Sequence, residues 1–102
     1  MKSNTGQTLW ERRDRLKIMA EIMEAAKESQ LKTRIMYRVN LSFSQVKEYV
    51  SFLTEMGFLK VQIENKKKSY KTTAKGNKYI ENYIEMANLL KPQEREVAMI
   101  MR

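Results

Sequence analysis

Ser42-Phe43-Ser44-Gln45-Val46-Lys47-Glu48-Tyr49-Val50-Ser51-Phe52-Leu53-Thr54-Glu55-Met56-Gly57 encodes a helix and both of its ends. Ser42 and Gln45 have the spacing of a capping box: the Ser42 hydroxyl accepts from the Gln45 amide while the Gln45 side chain reaches back to the Ser42 amide. Gly57 supplies the left-handed residue that commonly follows a helix end. Between these signals, Val46, Tyr49, Val50 and Leu53 recur at helical spacing and form the expected buried face. The helix is predicted over 43–56.

Upstream, Leu31 to Tyr37 is a short amphipathic run with Leu31, Ile35 and Met36 facing inward, and Val39-Asn40-Leu41 reads as a turn. Two helices joined by so short a turn make a helix-turn-helix. Downstream, Phe58 to Glu64 is rich in β-formers, Asn65-Lys66-Lys67-Lys68 is polar enough for a hairpin tip, and Ser69 to Thr73 returns with Tyr70. That hairpin is the expected wing. Thr73-Ala74-Lys75-Gly76 then opens a last helix. Ahead of the pair, nothing breaks a first helix from Leu9 to about Glu28, whose inward residues are Leu16, Met19, Ala20, Met23 and Ala26. The predicted fold is therefore mostly α with a small β-hairpin. Residues 1–8 form a flexible lead-in, 9–73 a winged helix-turn-helix domain, and 74–102 a C-terminal dimerisation helix, kinked or broken near Pro92.

Within that last segment Ile80, Tyr83, Ala87 and Leu90 follow the 3-4-3 spacing of a coiled-coil seam. The same pattern serves a helix docked on its own core. After Pro92 a short helix is expected to restart, with Glu94 and Glu96 near its N-terminus and Val97, Ile100 and Met101 on its apolar side.

The chain of 102 residues fits one domain with a modest core, which favours dimerisation. It has neither cysteine nor histidine. Thiol chemistry, disulfides and zinc fingers are thereby excluded, and the commonest general base and metal ligand are missing. Gly6, Gly57 and Gly76 stand alone and form no phosphate-binding loop. Glu21, Glu24 and Glu28 read as a solvated helix face, Trp10 as an anchor at the start of the first helix, and the eight methionines as core filler. A binding protein without cofactor or metal, not an enzyme, is expected. No segment has the length and apolarity of a membrane span, so the expected location is cytoplasmic, on the chromosome, with no small-molecule ligand.

Lys and Arg number 20 against 12 Asp and Glu, a net charge of +8. Residues 31–60 carry a net +3 and residues 61–78 a net +5, whereas residues 1–30 carry +1 and residues 79–102 carry −1. A general solubility charge would spread over all four segments. This one coincides with the helix-turn-helix and the wing, where a winged helix meets duplex DNA. Lys32, Arg34 and Arg38 suit a helix that crosses the backbone and grips phosphates. Ser44, Gln45 and Lys47 lie at the start of the helix that would enter the major groove. Gln45 serves equally as an adenine reader or as the cap. Phe43 is expected to pack beneath the cap, with stacking on a sugar or thymine methyl as its alternative. Glu48 either faces away from phosphate or bridges to Lys47 or Arg38. Lys66, Lys67 and Lys68 would hold the minor groove or its phosphates, with Lys71 and Lys75 extending the stripe. Lysine is a mobile point charge without the bidentate fork of arginine, and the recognition helix has no arginine. The contacts are thus rich in phosphate binders and poor in base readers. Two further readings stay open: a sequence-specific transcription regulator, and a winged-helix module that binds protein.

Lys32-Thr33-Arg34-Ile35-Met36-Tyr37-Arg38-Val39-Asn40-Leu41-Ser42-Phe43-Ser44-Gln45 resembles the helix-turn-helix signature of the "10a" family of small archaeal chromatin-associated proteins. Tyr70 and Thr73-Ala74-Lys75-Gly76 resemble that family's strand-to-helix junction. The similarity spans roughly residues 15–90. It implies a winged-helix domain, a long C-terminal helix paired as an antiparallel coiled coil in a homodimer, and weakly selective, architectural binding of double-stranded DNA. Pro92 departs from an uninterrupted helix, and the N-terminal extension is longer than usual.

Overall fold

The computed structural model describes the backbone of residues 5–90 and the side chains of residues 15–90. The elements run α1 (Thr5–Ala25), β1 (Gln30–Leu31), α2 (Lys32–Val39), α3 (Phe43–Glu55), β2 (Leu59–Glu64), β3 (Lys67–Thr72) and α4 (Ala74–Leu89). The expected helices and hairpin are present. Helix α1 starts at Thr5, inside the stretch read as a lead-in, and ends at Ala25 instead of Glu28. The expected features at Pro92 and beyond, and the Trp10 side chain, lie outside the described residues.

Helix α3 has both halves of its capping box: the Gln45 amide donates to Ser42 Oγ at 3.2 Å and the Ser42 amide donates to Gln45 Oε1 at 3.0 Å. At its other end Gly57 adopts φ 85°. The Gly57 amide donates to the Thr54 carbonyl at 3.1 Å and the Phe58 amide to the Leu53 carbonyl at 2.8 Å, the paired bonds of a Schellman motif. Asn40, at φ 59°, closes α2 in the same left-handed conformation, which Asn tolerates better than most residues.

The sheet holds one strand more than the hairpin. Its order is β1-β3-β2, all antiparallel, with Gln30 opposite Tyr70 and Leu31 opposite Ser69. A two-residue strand shows no period in sequence. It exists because β3 offers a second edge, and Ser29 Oγ donates to Ser69 Oγ at 2.6 Å beside it. The hairpin tip is tighter than the four residues expected. Glu64 pairs with Lys67, leaving only Asn65 and Lys66, at φ 52° and 65°. Two positive φ values define a type I′ turn, whose twist matches that of the strands.

The four described helices and the hairpin share one core: Ile22 and Met23 of α1 with Ala26 just after it, Ile35 of α2, Val46, Val50 and Leu53 of α3, Leu59, Tyr70, and Ile80 of α4. Removing these side chains from water is the main stabilising term. Two polar junctions fix the wing to it. At the first, Thr72 Oγ1 donates to the Met23 carbonyl at 2.5 Å, the Thr72 amide to Ala26 O at 2.8 Å and Lys71 Nζ to Lys27 O at 2.8 Å. The carbonyls at the end of α1, which have no partner within the helix, are satisfied by the return strand. At the second, Thr73 caps α4: its hydroxyl accepts from the Gly76 amide at 3.1 Å and donates to the Gly57 carbonyl at 2.6 Å. Helix α4 approaches so closely here that a Cβ on Gly76 would lie 2.5 Å from the Phe58 carbonyl oxygen and 2.5 Å from Thr72 Cγ2.

Candidate nucleic-acid interface

The exposed cations fall on three adjoining elements. Arg34 and Arg38 stand one turn apart on the outer face of α2, with exposed Tyr37 between them. Lys32, half-buried at the start of α2, places Nζ 5.8 Å from the centroid of the Phe43 ring. Helix α3 exposes Ser44, Gln45 and Lys47 in its first turns. The wing exposes Lys66 in its turn and Lys67 and Lys68 in β3. Among the described residues the only ion pair is Lys27 with Glu24, at 3.4 Å on α1. No described carboxylate forms an ion pair with the cations of α2, α3 or the wing, although Glu64 stands directly opposite Lys67 on the hairpin.

Several expectations need correction. Phe43 does not pack beneath the cap: it is 55% exposed, its ring under the Lys32 ammonium. The Lys32 ammonium lies within cation–π range of the outward ring, and Val46 takes the inward place. Gln45 is engaged as the cap through Oε1, so of its amide only the NH2 group remains to meet a base. Of the two alternatives for Glu48, the bridge to Lys47 or Arg38 is not formed. Glu48 lines a groove of about 480 Å³ between α1 and α3 together with Arg15, Met19, Gln45, Tyr49 and Phe52. Lys71 and Lys75 do not extend the stripe as open charges. Lys71 is tied to the end of α1, and Lys75 donates to the Met56 carbonyl at 2.7 Å while lying 4.8 Å from the Phe58 ring centroid.

Of the predicted seam, Ile80 is 4% exposed and belongs to the core of its own chain. Tyr83 and Ala87 are half-buried, and Leu90 is exposed, as are Ile84, Met86 and Leu89. Tyr79 closes α4 against α1 by donating from its hydroxyl to the Leu16 carbonyl at 2.9 Å. Burial first, and the neighbouring Tyr83 second, push the Tyr79 phenol up to about 12. Phe58 meets it edge-on at 5.5 Å between centroids. Sequence reasoning missed Lys60, exposed on β2 and directly opposite Lys71. Its place follows from the cross-strand register, which the sequence does not show.

A helix-turn-helix whose second helix runs through a glycine cap into a β-hairpin, with its exposed cations outside the described ion pairs, defines a winged-helix protein of the DNA-binding type. The sequence profile of the Winged helix-turn-helix family matches residues 12–91, and the chain belongs to that family. It is 31% identical over 91 residues to an uncharacterized protein of Methanocaldococcus jannaschii, covering 88% of this chain and 90% of that one. Among solved structures it is similar to Sso10a-2, a DNA-binding protein from Sulfolobus solfataricus, with a TM-score of 0.66, 26% identity, and coverage of 85% of this chain and 95% of that one. The expected resemblance to the 10a proteins is thus met in three dimensions. The S. aureus MepR–DNA complex superposes with a TM-score of 0.64 at 12% identity, over 94% of this chain and 83% of that one, and shares the fold alone.

Proposed function

We propose that this protein binds double-stranded DNA as a homodimer, with low sequence selectivity and an architectural role on the chromosome. The observation that carries the reading is the placement of the charge: the net +8 lies on the helix-turn-helix and wing, on side chains without a described carboxylate partner. Phosphate neutralisation by such groups releases counterions and is indifferent to sequence. Base readers are few. Helix α3 contains no arginine, and Gln45, held in the cap through Oε1, keeps only its NH2 group for a base. Lys32, Arg34, Arg38, Ser44, Lys47, Lys66, Lys67 and Lys68 form the proposed contact set. Exposed Ile84 and Leu90 with half-buried Tyr83 and Ala87 are the proposed dimer face, which would present two basic surfaces to the duplex.

The test is affinity for a random duplex of about 20–30 base pairs as a function of salt, with unlabelled heterologous DNA as competitor. Steep salt dependence and full competition are the expected result. Binding resisted by one sequence alone would make the protein a specific regulator, and no binding at low salt would make it a protein-interaction module.

A further inference from the structure

The hairpin carries an apolar pair that the core does not use. Ile63, next to the last residue of β2, is 65% exposed, and Val61, two residues behind it on the same face, is 41% exposed. A lone exposed aliphatic residue needs no explanation. These two stand in line toward the tip of a tightly turned hairpin, in the most basic segment of the chain.

The register shows what surrounds them. Directly opposed residues share a face, so Leu59, Val61 and Ile63 lie with Thr72, Tyr70 and Lys68. The other face holds Lys60, Gln62 and Glu64 with Lys71, Ser69 and Lys67. The wing's one carboxylate, Glu64, therefore lies on the reverse face opposite Lys67. The Ile63 face carries Lys68 and no acid, and the Lys66 ammonium extends from the turn two residues after Glu64. At its inner end the same face is anchored by buried Leu59, Tyr70 and Thr72. An aliphatic side chain is thus held on a braced hairpin, with a cation directly across from it and another at the turn. A polyanion with an apolar interior accessible from a groove complements this arrangement, and duplex DNA is one: phosphates line the rim and stacked bases form the floor.

We propose that Ile63 is a wedge that enters the minor groove and parts two base pairs, so that the protein kinks the duplex it binds, with Lys66 and Lys68 on the flanking phosphates and Val61 behind it against the sugars. The inference rests on the DNA-binding reading above. It assigns the wing an action on DNA shape that charge alone does not give. Inserted apolar side chains unstack a step and bend the duplex away from the insertion, by roughly 20–90° in known architectures. Because TA and CA steps unstack most easily and A-tracts resist, the wedge also creates a mild preference for flexible steps without any base-edge contact.

The experiment uses the full chain and a duplex of about 25 base pairs with a fluorophore at each end, in one version with a central TA step and in another with an A-tract. Energy transfer reports the bend, and titration at several salt concentrations reports affinity and slope. The wild-type complex is expected to show higher transfer than free DNA and several-fold tighter binding to the TA duplex. Ile63→Ala and Ile63→Ser should still bind, with the salt slope unchanged, but lose both the bend and the preference. Ile63→Met, which restores a long apolar side chain, should recover them. The combined Lys66→Ala, Lys67→Ala and Lys68→Ala variant should bind all duplexes more weakly, with a flatter slope, yet leave bent the complexes that form at high protein concentration. Because Ile63 is exposed, its variants should keep the wild-type melting temperature.

A wild-type complex as straight as free DNA, or an Ile63→Ala complex as bent as wild type, overturns the wedge and leaves DNA binding intact. Failure of the wild type to bind any duplex overturns both. A change of oligomeric state in Ile63→Ser, seen by light scattering, assigns the residue to a contact between copies of the chain and overturns the wedge as well.

Discussion

Replacing Lys66 by glycine should make the protein more stable and a weaker DNA binder at once. Lys66 occupies the second position of the type I′ turn at φ 65°, where glycine is the usual residue. A residue with a Cβ pays roughly 1–2 kcal/mol in the left-handed region. Glycine removes that penalty but enlarges the conformational freedom of the unfolded chain, which costs about 0.4–1 kcal/mol. The difference favours Lys66→Gly by about 0.5–1 kcal/mol. For a domain of this size each kcal/mol moves the melting temperature by roughly 4–8 °C, so a rise of several degrees is expected in a thermal scan followed by circular dichroism. The same substitution deletes one cation from each wing, and the slope of log affinity against log salt should flatten by about 0.9 per wing, about 1.8 for a dimer with both wings on the duplex. Lys66→Ala is the control: it loses the same charge without relief of the turn, so the slope should fall equally while the melting temperature does not rise. A Lys66→Gly protein that melts at or below the wild-type temperature would refute the turn argument. An unchanged salt slope in both variants would show that Lys66 meets no phosphate.

Gly76→Ala should destabilise the fold by about 2 kcal/mol, because the new methyl group meets a backbone carbonyl that belongs to a different element; an unchanged urea midpoint would mean that α4 can withdraw from β2 at little cost. Stability should fall as pH rises between 10 and 12, since the Tyr79 phenol, raised in the folded state to about 12 from an ordinary value of 10.0, contributes fully below the unfolded value and is lost as pH passes the folded one. Tyr79→Phe should remove that part of the decline, and parallel curves for the two proteins would assign it to other groups. Glutamate at Tyr83 and Leu90 together should yield a monomer by light scattering, and a dimer that survives both would place the interface elsewhere.

The parts of the fold that were legible are those set by local chemistry. Ser42 with Gln45, Gly57, Asn40 and Thr73 with Gly76 each satisfy backbone groups within a few residues of themselves, so their roles can be read from spacing alone. Residues whose partners lie far along the chain could not be read in this way. Lys71 and Lys75 counted toward a basic stripe because charge is additive in sequence, yet each donates to a carbonyl, at separations of 44 and 19 residues. Ile80 fits a coiled-coil seam and a core position equally, since both need the same helical period, and the core holds it. Strand β1 is too short to have a period at all. The outward turn of Phe43, with Lys32 over its ring across the helix-helix corner, is a feature that only tertiary structure defines. The wing's length was legible and its register was not, which is why Lys60 and the face shared by Ile63 and Lys68 emerged only from the pairing of β2 with β3.

The stitching of β3 to the end of α1 has a mechanical consequence. Thr72 and Lys71 fasten the return strand to the Met23, Ala26 and Lys27 carbonyls, while Thr73, the cap of α4, holds the Gly57 and Phe58 carbonyls that lead into β2. The hairpin is thus clamped at its root on both sides and free only at its tip. A structure of that kind transmits torque. When a bent duplex pushes back on Lys66 or Ile63, the load passes down two strands into the longest of the described helices, and the wing acts as a cantilever fixed in the core.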